Sequence, residues 1–257
     1  MSYWQDRQAE SLNKLSGKSA AQIDRKMKKY YKQAMEQIIK DFEDTYSHLL
    51  TTLGEGREPT PADLYKLDKY WKMQGQIKQI AQKLGDKQIS LLSTQFEMNY
   101  FEVYHSIDIK GMRAFNTIDK EMVSQMINSI WCADGKSWSS RIWDNTSKLL
   151  TTLNDELIAC VTSGKTTSQL KKVLQERFGV SYSEADKLVR TELAHIQTQA
   201  AQQRYKDYGI EEFEVWADED ERRCKVCGKL HQTRYKANQT PPIPAHPNCR
   251  CCIVPVI

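Results

Sequence analysis

The sequence predicts a mainly α-helical protein that carries a small α+β lobe at its C-terminal end: a helical N-terminal region followed by a short antiparallel sheet. Three observations lead there. Before Gly209, apolar residues recur mostly at steps of three or four, the period of one helix face. After Gly209 the pattern turns to alternation, with Phe213 and Val215 set between polar residues, and the tail Cys251-Cys252-Ile253-Val254-Pro255-Val256-Ile257 is β-prone. Between these extended stretches lie Cys224-Lys225-Val226-Cys227 and His246-Pro247-Asn248-Cys249-Arg250-Cys251-Cys252, which together hold most of the chain's 7 cysteines.

The first helix is expected from Ala20 to Leu50, on Ile23, Met27, Tyr30, Ala34, Ile38, Phe42, Tyr46 and Leu49. Its other face is charged. Arg25, Lys26, Lys28, Lys29 and Lys32 cluster near its start, a run that is ordinarily a solvated face and whose functional alternative is contact with phosphate. Gly54-Glu55-Gly56-Arg57-Glu58-Pro59-Thr60-Pro61 breaks the helix, because two glycines and two prolines do not sustain its hydrogen-bond ladder. A second helix follows from Asp63 to Leu84 on Leu64, Leu67, Trp71, Ile77, Ile80 and Leu84, with Gly85 as its stop. A third runs from Gln88 to Tyr104 on Ile89, Leu92, Phe96, Tyr100 and Val103, and a fourth from Thr117 to Trp131. The aromatic residues of this half read as packing rather than as base-stacking platforms, and Met112, Met122 and Met126 read the same way.

Cys132-Ala133-Asp134-Gly135-Lys136 marks a boundary and divides the chain into residues 1–134 and 135–257, with the C-terminal lobe at 210–257. A helix opens at Trp138 and runs to Val161 on Leu149, Leu153 and Leu157; Cys132 and Cys160 are read as small buried apolar residues. Thr166-Thr167-Ser168-Gln169 has the form of a capping box, so a short helix follows to Phe178 and stops at Gly179. Ser183-Glu184-Ala185-Asp186 caps a long one from Glu184 to Tyr208. The two extended stretches pair, with Pro255 on an edge.

Two residues separate Cys224 from Cys227 and two separate His246 from Cys249, the spacing with which turns present soft ligands to one tetrahedral zinc ion. The expected ligands are Cys224, Cys227, His246 and Cys249. Cys251 is the alternate, since on an extended strand it points to the same side as Cys249 and can replace His246. Disulfides fit less well, because Met1-Ser2-Tyr3-Trp4-Gln5-Asp6 shows no basic segment leading into an apolar run, and thiols clustered in a reducing compartment are more often metal ligands. A shell closed by cysteine and histidine leaves no position for substrate, so the ion is expected to be structural and to staple a sheet too short to hold itself together.

With 40% hydrophobic and 27% charged residues over 257 positions, the composition is that of an ordinary globular protein able to bury a core. A formal charge of +4 permits contact with nucleic acid without demanding it. No segment approaches the ~20 apolar residues of a membrane span.

Arg190-Thr191-Glu192 sits on the last long helix and reads first as an ion-pair network, with anion binding or acid–base work as its alternative. His195, one turn on, reads as a packing residue. Taken together, Arg190-Thr191-Glu192, Trp216 with Asp220 and Arg222, the Cys224/Cys227 pair, Pro241-Pro242 and His246-Pro247-Asn248-Cys249-Arg250-Cys251 resemble the phage Mu protein F-like family of minor head proteins. The resemblance covers residues 135–257, and nothing upstream of Asp134 carries it. The chain departs from the family pattern where an asparagine often follows the Arg-Thr-Glu turn, since Thr198 and Gln199 stand there.

The resemblance implies a minor capsid or head-morphogenesis protein, not an enzyme, held inside the procapsid and virion and present in the host cytoplasm during assembly. Its implied partners are the portal protein and the scaffolding or major capsid protein, with residues 1–134 docking on them and no small-molecule substrate. Two other readings stand beside it. One is a zinc-stabilised module that binds double-stranded DNA, with Arg222, Arg223, Lys225, Lys229, Arg234 and Lys236 as candidate phosphate contacts. The other is a metal-dependent nuclease built on His195, His231 and His246, which a filled metal shell disfavours.

Overall fold

A computed structural model describes residues 3–54, 57, 59–109, 111–113, 118–217, 223–239 and 241–257. The order of elements is α1 (Tyr3–Leu53), α2 (Pro61–Tyr65), α3 (Asp68–Ser106), α4 (Lys120–Ile127), α5 (Trp138–Thr162), α6 (Thr167–Asp207), β1 (Glu212–Trp216), α7 (Lys225–Leu230), β2 (Arg234–Lys236) and β3 (Cys252–Pro255). The mainly α architecture with a small C-terminal sheet is the expected one.

The packing divides the chain into two units that long helices thread through. One unit is Met1–Asp24, Leu91–Trp138 and Asp186–Ile257; the other is Arg25–Ser90 and Ser139–Ala185. These units follow tertiary packing, whereas the boundary after residue 134 followed composition and motif.

In the second unit α1, α3, α5 and α6 each contribute a buried apolar stripe: Met27, Ile38 and Phe42; Met73, Ile77 and Leu84; Ile142, Leu153 and Leu157; Leu170, Leu174 and Phe178. Each side chain of this size contributes roughly 1.5–3 kcal/mol when taken out of water. On α1 the expected face is buried except that Tyr31, 4% exposed, takes the place of Tyr30. The Tyr31 hydroxyl lies 3.4 Å from both Gln88 Oε1 and the Ser181 carbonyl and accepts from Asn145 Nδ2 at 3.2 Å. Burial raises its pKa above the ordinary tyrosine value.

Several expected boundaries shift, each for a physical reason. α1 begins at Tyr3, well before Ala20. Its added turns bury Ala9 and Leu12. The helix expected from Asp63 is split into α2, opened by a capping box between Thr60 and Asp63, and α3. Gly85 does not stop α3. A Cβ there would fall 2.4 Å from Trp143 Cζ3, so the glycine provides a close approach instead of a helix end. Gly179 likewise lies within α6, and Ser183 does not cap a new helix; its hydroxyl donates to the Gly179 carbonyl at 3.0 Å. The Thr166/Gln169 capping box forms as expected, with Thr166 N donating to Gln169 Oε1 at 2.9 Å and Gln169 N to Thr166 Oγ1 at 3.3 Å.

The fourth helix is shorter than expected, and Thr117 lies outside the described residues. Asp119 caps it by accepting from Met122 N at 2.8 Å. Trp71, at 58% exposed, is a surface residue and not core; Met112 and Met122, at 36% and 40%, are likewise on the surface. Cys160 is buried as expected, while Cys132 is only half-buried.

In the first unit the sheet has the order β2-β1-β3, antiparallel throughout. β1 pairs with β3 as the alternation suggested, Phe213 opposite Pro255 and Trp216 opposite Cys252, so Pro255 does lie on an edge strand. β2 was not foreseen; three residues are too few to show a period. The Tyr205 hydroxyl donates to the Ile253 carbonyl at 3.0 Å and ties α6 to the sheet, and Gln5 Nε2 donates to the Pro255 carbonyl at 3.3 Å, which covers the outer edge of β3. Asn99 Nδ2 donates to Ser19 Oγ at 2.9 Å in the same core.

Candidate metal centre

The first knuckle is a helix start. Cys224 is the N-cap of α7, and its Sγ accepts from Cys227 N at 3.3 Å while its carbonyl accepts from Gly228 N at 2.9 Å. The expected tight turn is thus the first turn of a short helix, which points both sulfurs the same way. The second knuckle is a β-turn closed by Cys249 N donating to the His246 carbonyl at 3.2 Å. Pro247 holds its second position and Asn248, at φ 59°, its third; proline presets one dihedral and asparagine tolerates the left-handed region. Asn248 N donates to Thr191 Oγ1 at 3.1 Å, so α6 fixes where this turn sits.

The two knuckles converge. His246 Nε2 lies 3.3 Å from Cys224 Sγ and 3.0 Å from Cys227 Sγ, and Cys227 Sγ lies 3.8 Å from Cys249 Sγ. Donor atoms of Cys224, Cys227 and His246 form one group within 4.8 Å of one another, and those of Cys227, Cys249 and Cys251 form a second, with Cys227 common to both. With zinc–sulfur bonds of about 2.3 Å and zinc–nitrogen bonds of about 2.0 Å, the edges of a tetrahedron come to about 3.8 and 3.5 Å. The 3.8 Å between Cys227 and Cys249 matches such an edge, and the imidazole stands a few tenths of an ångström closer to its two sulfurs than an edge. Five donors stand where four are needed.

The electrostatics point the same way. His246 Nδ1 lies 2.8 Å from the Pro247 carbonyl, which takes the proton on that nitrogen and leaves Nε2 to face the sulfurs. This hydrogen bond also raises the imidazole pKa, with the neighbouring thiolates adding to it. The Cys249 thiol is lowered to about 5, first by a hydrogen bond from Cys251, whose own proton is held well above the usual thiol range by that contact. Backbone hydrogen bonding from Cys227 lowers Cys224, and burial pushes Cys227 up to about 12. A cluster that already stabilises thiolate and shares its remaining protons is one that a divalent cation would empty of protons.

The other motif residues form the support of the lobe. Glu192 is 3% exposed, and its Oε2 accepts from Trp131 Nε1 at 2.9 Å; the Trp131 ring stacks on His195 at 4.3 Å and 9°. Arg190 Nε donates to Asp186 Oδ2 at 2.8 Å. Trp216 packs with Ala9 and Val254. Asp220 and Arg222 lie outside the described residues. Among the candidate phosphate contacts Lys225, Lys229 and Lys236 are exposed, as is Arg223, while Arg234 is engaged by Glu214 at 2.8 Å. The partnership of Trp131 with Glu192 was invisible in the sequence, since tertiary packing alone joins them.

The three histidines do not converge. His195 is stacked and buried, His231 accepts the Ala217 amide on Nδ1 at 3.2 Å, and His246 belongs to the sulfur cluster. A cleft of about 780 Å³ runs beside the second knuckle, with Ser16 and Gly17 of α1 on one wall and Arg190 and Gln197 of α6 on the other.

Fold and site together define a helical protein whose C-terminal lobe is organised around a closed sulfur–imidazole cluster. Residues 151–254 match the model of the family described as Phage Mu protein F like protein. That stretch holds all of α6, the sheet apart from Pro255, and both knuckles. No curated protein and no solved structure matches the chain.

Proposed function

We propose that the chain is a phage minor head protein that acts in head morphogenesis, and that its C-terminal lobe is stapled by one structural zinc ion. The observation that carries this is that Cys227 joins two donor groups, one with Cys224 and His246 and one with Cys249 and Cys251, within the stretch that matches the Mu protein F-like family. Zinc is favoured over other cations because thiolate and imidazole donors at tetrahedral spacing, with no carboxylate among them, suit it best. Such a shell stabilises a small sheet and performs no reaction.

Work inside the procapsid, beside the portal and in contact with scaffolding or major capsid protein, extends this reading, as do effects on packaging or delivery of double-stranded DNA. The family match supports these assignments only as a class. A nuclease reading has no matching geometry among the described residues, because the histidines it needs lie at separate places.

Elemental analysis of reduced, purified protein tests the zinc. One equivalent per chain is expected, and its absence overturns the staple. Protein analysis of purified heads against ejected, empty particles tests the morphogenetic role: the chain should be found in heads, and a phage that assembles normal heads without it would remove the proposal.

A further inference from the structure

The basic run of the first helix is left unused by that reading. α1 sets Arg25, Lys28, Lys29 and Lys32 at i, i+3, i+4 and i+7, which places them in one stripe along one face, and all four are exposed. At about 1.5 Å of rise per residue the stripe is about 10 Å long. No acidic residue stands between Asp24 and Glu36. On α3 Lys83 and Lys87 are exposed as well, and the Lys87 ammonium lies 5.5 Å from the centre of the Tyr30 ring. The acids close by are Asp24, one turn before Lys28, with Glu36 and Asp86. Lys32 and Glu36 approach to 3.8 Å with side chains 71% and 60% exposed, a kind of pair worth little in water, and Asp86 is exposed and accepts from Gln82.

We infer that this surface binds the phosphate backbone of duplex DNA without reading its sequence. The stripe offers charge and no apolar anchor: Tyr31 is buried and Tyr30 is half-buried beside Lys87. A protein partner needs an aromatic or aliphatic centre that can be dried on contact, whereas a chain of phosphates needs only cations in a row. Lysines predominate in the run, and these act as point charges rather than as forks that select a base edge. The surface lies outside residues 151–254, so it does not depend on the family match or on zinc.

The test is fluorescence anisotropy of the zinc-loaded full chain with a labelled duplex of about 30 base pairs, at salt from about 50 to 200 mM. The logarithm of the binding constant should fall linearly with the logarithm of salt concentration. In Lys28→Gln/Lys29→Gln the slope should be shallower by about 1.8, two phosphate contacts at about 0.9 each. Glutamine is a good helix former, so circular dichroism should be unchanged. Lys171→Gln/Lys172→Gln, exposed on α6, is the comparison and should keep the parent slope. No binding by the parent protein at the lowest salt, a parent slope in the stripe variant, or equal losses in both variants would each overturn the inference. Zinc measured on the same samples separates the two claims: full zinc without DNA binding removes this one alone, and DNA binding with the expected slopes but no zinc removes the staple alone.

Discussion

Gly85 of α3 presses against the ring of Trp143 of α5 so closely that a Cβ on the glycine would lie 2.4 Å from Cζ3 and 2.7 Å from Cη2. The helix passes through a residue that costs about 1 kcal/mol against alanine because no other side chain fits there. Gly85→Ala should destabilise the protein by about 1–3 kcal/mol, the usual cost of overpacking. In a Trp143→Ala background the same change should turn stabilising by a few tenths to about 1 kcal/mol. Urea unfolding of the four proteins in this cycle measures both effects; a destabilisation that persists without the tryptophan would show that the contact is not its cause.

His195 predicts an acid-sensitive fold. Burial lowers its pKa from 6.5 to about 4, so between those values the unfolded chain binds a proton that the folded chain refuses. The stability that neutral His195 permits is complete above the unfolded value and is lost as pH falls towards 4. Between pH 7 and 5 this one group should remove about 2 kcal/mol. Replacement by phenylalanine, which keeps a ring against Trp131, should flatten that part of the stability–pH curve; an unchanged curve would mean that other groups set it.

Glu192 and Trp131 test the support of the lobe. Glu192→Ala would leave the Nε1 of half-buried Trp131 without its acceptor, and the loss should be about 1–3 kcal/mol. Glu192→Gln keeps an acceptor oxygen and should cost less. Equal thermal shifts in the two variants would show that the hydrogen bond to the indole is not what matters.

The five-donor cluster makes a ligand-by-ligand prediction. Cys224→Ser and Cys227→Ser should each lose zinc and loosen residues 210–257, because binding the ion and folding this lobe are coupled. His246→Ala should retain more zinc than either, since Cys251 stands within 4.8 Å of Cys227 and can fill the vacated position. Zinc content and the visible spectrum of the cobalt-substituted protein distinguish these cases; zinc lost equally in all three would exclude Cys251 as the substitute.

What the sequence made legible is what short-range chemistry dictates. A threonine hydroxyl and a glutamine three residues on can satisfy each other's backbone groups with no help from the rest of the chain, so the Thr166/Gln169 box was readable. The spacing of Cys224 and Cys227 was equally local, and the alternation at Phe213 and Val215 announced the strand that pairs with the tail. The outcome at Gly85 and Gly179 was not readable, because glycine is only a weak penalty to a helix and its effect depends on what lies across from it. Trp71 was misplaced for a related reason: periodicity says which residues share a face, and it does not say which neighbour, if any, covers that face.

The amino-acid order by itself determined the cap at Thr166, where the two knuckles lie and which residue types they present, since these follow from hydrogen bonds and side-chain chemistry within a few positions. Tertiary structure alone decided that α3 and α6 run unbroken, that Thr191 holds Asn248, that Trp131 meets Glu192, and that five donors stand in two groups joined by Cys227. Each of these joins or spans distant parts of the chain, and their energies come from burial and close packing, which exist only once the elements have met.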